Sequence, residues 1–253
     1  MLKKQKFRVL TYIVITIITI MPLFLLESGY CTTKEINSNY GSAPIIDGYM
    51  DVSAKEWNLA SYEEISLDDL PINLWVMQDD KNLYISIQFD LISQYHNINE
   101  FVALIISNSS SENREDFIDA KIVQFINISS NEYNYLDYNI NNSVFLNDVK
   151  SDGNGAAKLE GDTSTYEFSI PIKMNTSNME DASLNFGNAY AFNISYGENA
   201  GYPSGIKKSA IVLINIKSLP SIFPFIINVV FYVLIIIVFC TVGILLGFYI
   251  YRI

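Results

Sequence analysis

The segment from Ile222 to Tyr251 contains no Asp, Glu, Lys or Arg, and no other feature constrains this chain as strongly. It is longer than the roughly 20 apolar residues needed to cross a hydrocarbon core, so a transmembrane helix is predicted there. Phe223, Phe225, Tyr232, Tyr249 and Tyr251 lie near or toward its ends, where aromatic rings settle at a membrane interface. A second uncharged run, Val9 to Leu26, follows Lys3, Lys4, Lys6 and Arg8, as in a secretory signal. Gly29 and Cys31 are small enough to precede a cut ahead of Thr32. The run exceeds the roughly 7–15 residues usual for a signal core, so an uncleaved anchor is the alternative. Either way the basic N-terminus and Arg252 are expected in the cytoplasm. The chain then divides into a signal or anchor at 1–31, an extracellular domain at 32–220 and a transmembrane helix at 221–253.

Charge supports this division. The formal net charge is -11, from 16 basic and 27 acidic residues. Five of the basic residues (Lys3, Lys4, Lys6, Arg8, Arg252) flank the apolar runs, and every acidic residue lies between those runs. The intervening part therefore carries 11 basic against 27 acidic groups, a net of −16. Such a surface repels phosphates, so nucleic acid is not an expected partner. Neutral ligands and divalent cations are compatible with it. The two cysteines, Cys31 and Cys240, fall at the predicted cut and within the predicted span, so no disulfide is expected inside the domain.

Within the domain the dominant signal has period 2. In Leu83–Phe89 the apolar residues Leu83, Ile85, Ile87 and Phe89 alternate with Tyr84, Ser86 and Gln88, as in a strand with one buried face. Ile72–Met77 is expected to pair with it through the polar turn Gln78–Asn82. Further strands are predicted at Phe101–Ile106, Ile118–Ile128, Tyr133–Ile140, Ser143–Leu146, Thr165–Pro171, Ala191–Tyr196 and Ala210–Ile216, with Asp148–Gly155 as a loop. Short strands at this spacing, parted by Asn, Ser, Gly and Asp, predict an all-β antiparallel sandwich. Glycosylation sequons begin at Asn108, Asn127, Asn141, Asn175 and Asn193.

A longer pattern starts at Pro44: Ile46-Asp47-Gly48, Asp51, Glu56-Trp57 and Ala60. Leu74–Val76, Asp79-Asp80 and Leu83-Tyr84 follow, then Tyr166 to Pro171, then Ala191 to Ile194. In this order the elements resemble family 9 carbohydrate-binding modules, part of the wider DOMON-like group of β-sandwiches, over most of residues 44–196. The resemblance implies a non-catalytic, sugar-binding jelly-roll. Asp47-Gly48 reads as a turn with Gly48 at positive φ. Trp57 reads as a plug whose indole N–H bonds backbone.

Sugar-binding members of that family grip a sugar between two tryptophans. Here only Trp57 and Trp75 exist, so the paired clamp departs from the family pattern. A rebuilt platform is expected from Trp75 with Tyr133, Tyr135, Asp137 and Asn139, because stacking rings beside amides and carboxylates suit a sugar. The resemblance also implies calcium, for which Asp79, Asp80, Asp116 and Asp119 are the candidate ligands. Some DOMON-like relatives bind haem through methionine and histidine or lysine. His96, the only histidine, sits in the polar stretch Ser93–Glu100, read as an exposed loop, and no haem is expected. A single histidine also excludes a His-rich zinc site, and nothing singles out a catalytic carboxylate pair. The alternative to sugar binding is a structural or protein-interaction ectodomain on the same sandwich.

Overall fold

The computed structural model describes residues 33–50, 55–92, 96–113, 116–172, 181–198, 201–219 and Ile237. The predicted signal segment lies outside these residues, as does the predicted C-terminal span apart from Ile237. Among the described residues no helix is long and apolar enough to cross a membrane.

The described residues from Glu35 onward form one compact unit. Its strands are β1 (Lys34–Asn37), β2 (Asn39–Tyr40), β3 (Ser61–Leu67), β4 (Leu70–Gln78), β5 (Asn82–Asp90), β6 (Phe101–Ser107) and β7 (Phe117–Asn127). These are followed by β8 (Glu132–Asn141), β9 (Val144–Asn147), β10 (Asn154–Glu160), β11 (Thr163–Pro171), β12 (Ala189–Gly197) and β13 (Ile206–Asn215). A seven-stranded sheet runs β1-β13-β12-β6-β7-β8-β9. A six-stranded sheet runs β10-β11-β5-β4-β2, with β3 also paired to β4. All pairings in it are antiparallel except β2 with β4.

Alternation decides which side of each strand is buried. Leu74, Val76, Ile85, Ile87, Tyr166 and Phe168 of the six-stranded sheet join one core cluster with Val102, Leu104, Val123, Phe125, Phe192, Ile194 and Val212 of the other. The fold is thus a β-sandwich whose two inner faces share one core. The alternate residues of β4, β5 and β11 point away from that core, onto an outer face.

Nine of the strands coincide with predicted ones to within a few residues. The other four, β1, β2, β3 and β10, have weak patterns: β3 carries Glu63-Glu64 and β10 opens Asn154-Gly155-Ala156-Ala157. Asn154 and Gly155 belong to β10 rather than to the expected loop. The β4–β5 turn is as expected, with Asp79 Oδ1 accepting from the backbone N–H groups of Lys81 and Asn82, both at 2.7 Å.

Two polar expectations need correction. The His96 side chain is 2% exposed, with Nδ1 2.8 Å from Glu100 Oε2, so it belongs to the interior and not to an exposed loop. Buried Glu100 also accepts from Tyr166 Oη at 2.7 Å and Ser164 Oγ at 3.0 Å, which satisfies a charge that would otherwise be costly there. The Trp57 indole N–H donates to the Glu167 side chain, at 3.0 Å from Oε1, and not to backbone.

Candidate functional site

Register places the outer-face residues of the six-stranded sheet in rows that cross the strands. One row is Tyr62 (β3), Trp75 (β4), Ser86 (β5) and Glu167 (β11). The next, one strand repeat away, is Glu64, Asn73, Gln88 and Thr165. The first row begins with rings and the second is wholly polar.

Tyr62 and Trp75 are directly opposed, with ring centroids 5.3 Å apart and planes inclined by 48°. Tyr62 is 51% exposed and Trp75 is half-buried. The Tyr62 hydroxyl donates to Asn73 Oδ1 at 2.8 Å, which ties the ring to the polar row. Gln88 Nε2 donates to Thr165 Oγ1 at 3.2 Å. The arrangement offers an apolar ring surface beside oriented amide, hydroxyl and carboxyl groups.

The far end of the first row is closed by the segment around Asp47 and Trp57. Trp57, Met77 and Tyr84 form a small buried cluster on this face, against which Ile46, Met50 and Trp75 pack. Glu167 anchors the closure. Its Oε2 accepts from the backbone N–H of Asp47 at 3.1 Å and of Gly48 at 2.9 Å, while Oε1 takes the Trp57 indole. Burial pushes the Glu167 carboxyl up to about 7, although these donors favour its charged form. Gly48 has φ 79°, as its turn requires, and a Cβ there would stand 2.6 Å from the Ala157 carbonyl carbon. The motif at Asp47, Gly48 and Trp57 therefore builds a cap seated on a buried carboxylate.

The predicted platform is divided between the sheets. Trp75 lies on the outer face just described, whereas Tyr133, Tyr135, Asp137 and Asn139 lie on β8 of the seven-stranded sheet. Tyr133 is 36% exposed. The other three are engaged internally: Tyr135 Oη donates to the Asp152 carbonyl at 2.8 Å, and Asn139 Nδ2 donates to Asp148 Oδ1 at 3.1 Å. Asp137 is buried against Lys121. Tyr62, Asn73 and Gln88 were absent from the expected group. Alternation of Tyr62, Glu64 and Ser66 against Ile65 and Leu67 was the available signal for β3, and Glu63 interrupts it.

The candidate metal ligands also separate. Asp79 and Asp80 belong to the β4–β5 turn, where Asp79 Oδ2 accepts from Tyr84 Oη at 2.7 Å. Asp116 precedes β7, and its carbonyl accepts from Asn108 N at 3.1 Å. Asp119 instead clusters with Asp137 and Asp181, with all three side chains buried. Lys121 Nζ stands among them, 2.6 Å from Asp137 Oδ1, 2.6 Å from Asp181 Oδ1, 3.1 Å from Asp152 Oδ1 and 3.3 Å from Asp119 Oδ1. Calcium does not fit this cluster, because an ammonium already holds the position that faces every carboxylate. Lys121 was missed as a lone cation in an apolar strand, although its i,i+2 spacing from Asp119 puts both on one face.

One ammonium does not neutralise this many carboxylates. Burial, with the charges of Asp137 and Asp181, pushes Asp119 up to about 8 against the pull of Lys121. Burial and the same two neighbours push Asp148 up to about 7. For Lys121, burial alone would favour the neutral amine, but the surrounding acids outweigh it and raise its pKa. His96 is raised chiefly by its bond to Glu100.

These groups titrate in one sense. Asp119, Asp148 and Glu167 hold a proton more tightly folded than unfolded, so their contribution is complete below the unfolded carboxylate range and is lost as pH rises through about 7 to 8. The His96 contribution is complete below about 6.5 and is lost above its raised value. Chemical denaturation should therefore find the protein less stable by about 1 kcal/mol or more at pH 9 than at pH 6. A stability that rises over that interval would contradict these assignments.

No family model and no curated protein matches the chain. Among solved structures it is similar to a family 9 carbohydrate-binding module from Caldicellulosiruptor kristjanssonii in complex with cellotriose, at 17% identity and a TM-score of 0.44, covering 75% of this chain and 96% of that one. It is also similar to a family 9 module from the same organism in complex with glucose, at 16% identity and a TM-score of 0.42, covering 74% and 98%.

Proposed function

We propose that the chain is a non-catalytic carbohydrate-binding module, exported and held at the cell membrane by the apolar segment Ile222–Tyr251. The observation that carries the sugar-binding reading is the Tyr62–Trp75 ring pair beside the accessible polar side chains of Glu64, Asn73 and Gln88. Ring faces stack on the C–H faces of a pyranose, and side-chain amides and carboxylates orient its hydroxyls. The net charge of -11 favours neutral glycans over anionic ones. The sequence resemblance from Pro44 to Ile194 supports the same reading.

A glycan array probed with the purified full-length protein tests it. Binding is expected among neutral glycans, and silence across the array would remove the proposal. The second reading, a protein-interaction ectodomain, draws support from β8, where Tyr135, Asp137 and Asn139 use their polar groups in internal bonds. Membrane topology has its own test. Protease added to intact cells should degrade the domain, and full protection would reverse the proposed orientation.

A further inference from the structure

We infer that the outer face of the six-stranded sheet recognises a neutral N-acetylated amino sugar, whose acetamido group is held between Asn73 and Gln88. This rests on the carbohydrate-binding reading and specifies the ligand. Asn73 of β4 and Gln88 of β5 are directly opposed, and both are partly exposed. Opposed residues have Cβ atoms about 4.5–5.5 Å apart, so one small group can meet both side chains. Their hydrogen bonds give the two amides opposite polarity. Asn73 Oδ1 accepts from the Tyr62 hydroxyl at 2.8 Å, and the group Asn73 offers a ligand is the Nδ2 donor. Gln88 Nε2 donates to Thr165 Oγ1 at 3.2 Å, and the group Gln88 offers is the Oε1 acceptor. A donor beside an acceptor is the complement of a secondary amide, whose C=O accepts and whose N–H donates. A sugar hydroxyl engages the pair through one oxygen, an acetamido group through two separate atoms.

The geometry of the amide itself sets the orientation. A trans amide is planar, with C=O and N–H pointing in opposite directions and its two carbon substituents running perpendicular to them. With C=O toward Asn73 and N–H toward Gln88, the polar axis lies across the strands and the substituents run along β4. Trp75, Asn73 and Pro71 are successive residues on the outer side of β4; Trp75 and Asn73 are half-buried and Pro71 is exposed. The pyranose then falls on the Tyr62–Trp75 ring pair and the methyl group toward Pro71. Ring, amide and apolar positions follow one another in the order in which an N-acetylated sugar presents pyranose, amide and methyl. Exposed Glu64, opposite Asn73 on β3, disfavours a carboxylated sugar in the same place.

Calorimetry on the full-length protein with two matched trimers tests the inference: cellotriose, and its counterpart with a 2-acetamido group on every unit. The acetamido trimer is expected to bind about tenfold or more tightly than cellotriose. Asn73→Asp replaces the Nδ2 donor by an acceptor while keeping the shape of the side chain and an oxygen for Tyr62. The preference should fall to about twofold or less in that variant, with an unchanged melting midpoint showing that it is folded. The comparison of trimers on the unaltered protein stands whether or not the variant folds. N-acetylglycine amide, which carries the amide without a pyranose, should bind about tenfold or more weakly than the acetamido trimer. Cellotriose binding as tightly as the acetamido trimer, a preference that survives in folded Asn73→Asp, or N-acetylglycine amide binding as tightly as the acetamido trimer would overturn this inference and leave the carbohydrate reading standing. Array hits confined to glycans that lack an acetamido group would do the same. No binding of either trimer, with a silent array, would overturn both.

Discussion

Lys121→Met should cost the domain about 3–5 kcal/mol of folding stability, the range found when one partner of a buried ion pair is removed. Lys121 is fully buried, and its ammonium lies within 3.3 Å of four aspartates. Methionine keeps most of the stem volume, so the change isolates the charge from the packing. Without the ammonium, Asp119 faces the carboxylates of Asp137 and Asp181 with the pull of Lys121 gone. Ionisation of Asp119 in the folded state then becomes harder, which deepens the loss at high pH. The deficit should shrink as pH is lowered toward about 5, where protons replace the missing cation. Asp152→Asn should cost less, because Asp152 is the most exposed of the four. Urea denaturation at several pH values measures all three effects, and an unchanged Lys121→Met midpoint would refute the cage.

Trp75→Ala should weaken glycan binding by about 30-fold or more, corresponding to about 2 kcal/mol for an aromatic hot spot. The ring is held in place from both sides. Tyr62 contacts it at 5.3 Å, and the Trp57–Met77–Tyr84 cluster packs against it. Trp75→Phe keeps a ring and should lose less. Because Trp75 packs on a buried cluster, Trp75→Ala also lowers stability, so near-ultraviolet circular dichroism must show a native signal before its affinity is interpreted. Tyr62→Ala removes the more exposed ring with little effect on the core, and its loss of binding should come without a shift in melting midpoint.

The strands that build the core were legible because alternation reports a buried face directly. In Leu83–Phe89 and Thr165–Pro171 the alternating apolar residues Leu83, Ile85, Ile87, Phe89, Tyr166, Phe168 and Ile170 are all buried. The candidate site was only partly legible, for a different reason. Alternation states which residues share a face of one strand, but not which strands are neighbours. Trp75 could be read as facing outward, yet its partner Tyr62 is set by the β3–β4 register. Tyr133, Tyr135, Asp137 and Asn139 do share a side of β8, as their spacing implies. That side carries Asp137 against Lys121 and Tyr135 against the core, so the polar groups meet one another and not a ligand. Side choice along β8 is a tertiary outcome that spacing alone does not encode.

The Asp47–Trp57 motif divides in the same way. Its turn was readable from Gly48, whose positive φ is a local property. The acceptor of the Trp57 indole was not, because Glu167 lies 110 residues away in sequence. Glu167 falls within the Tyr166–Pro171 element of the resemblance. Folding gives it the task of holding the cap over the outer face.

The most direct test of the central claim is tryptophan fluorescence during titration with a neutral oligosaccharide that the protein binds by calorimetry. The chain has two tryptophans, one buried at Trp57 and one half-buried at Trp75. A saturable spectral change that tracks the calorimetric isotherm and disappears in Trp75→Phe is the predicted result. Saturable binding with an unaltered tryptophan spectrum would place the ligand elsewhere and contradict the assignment of this face.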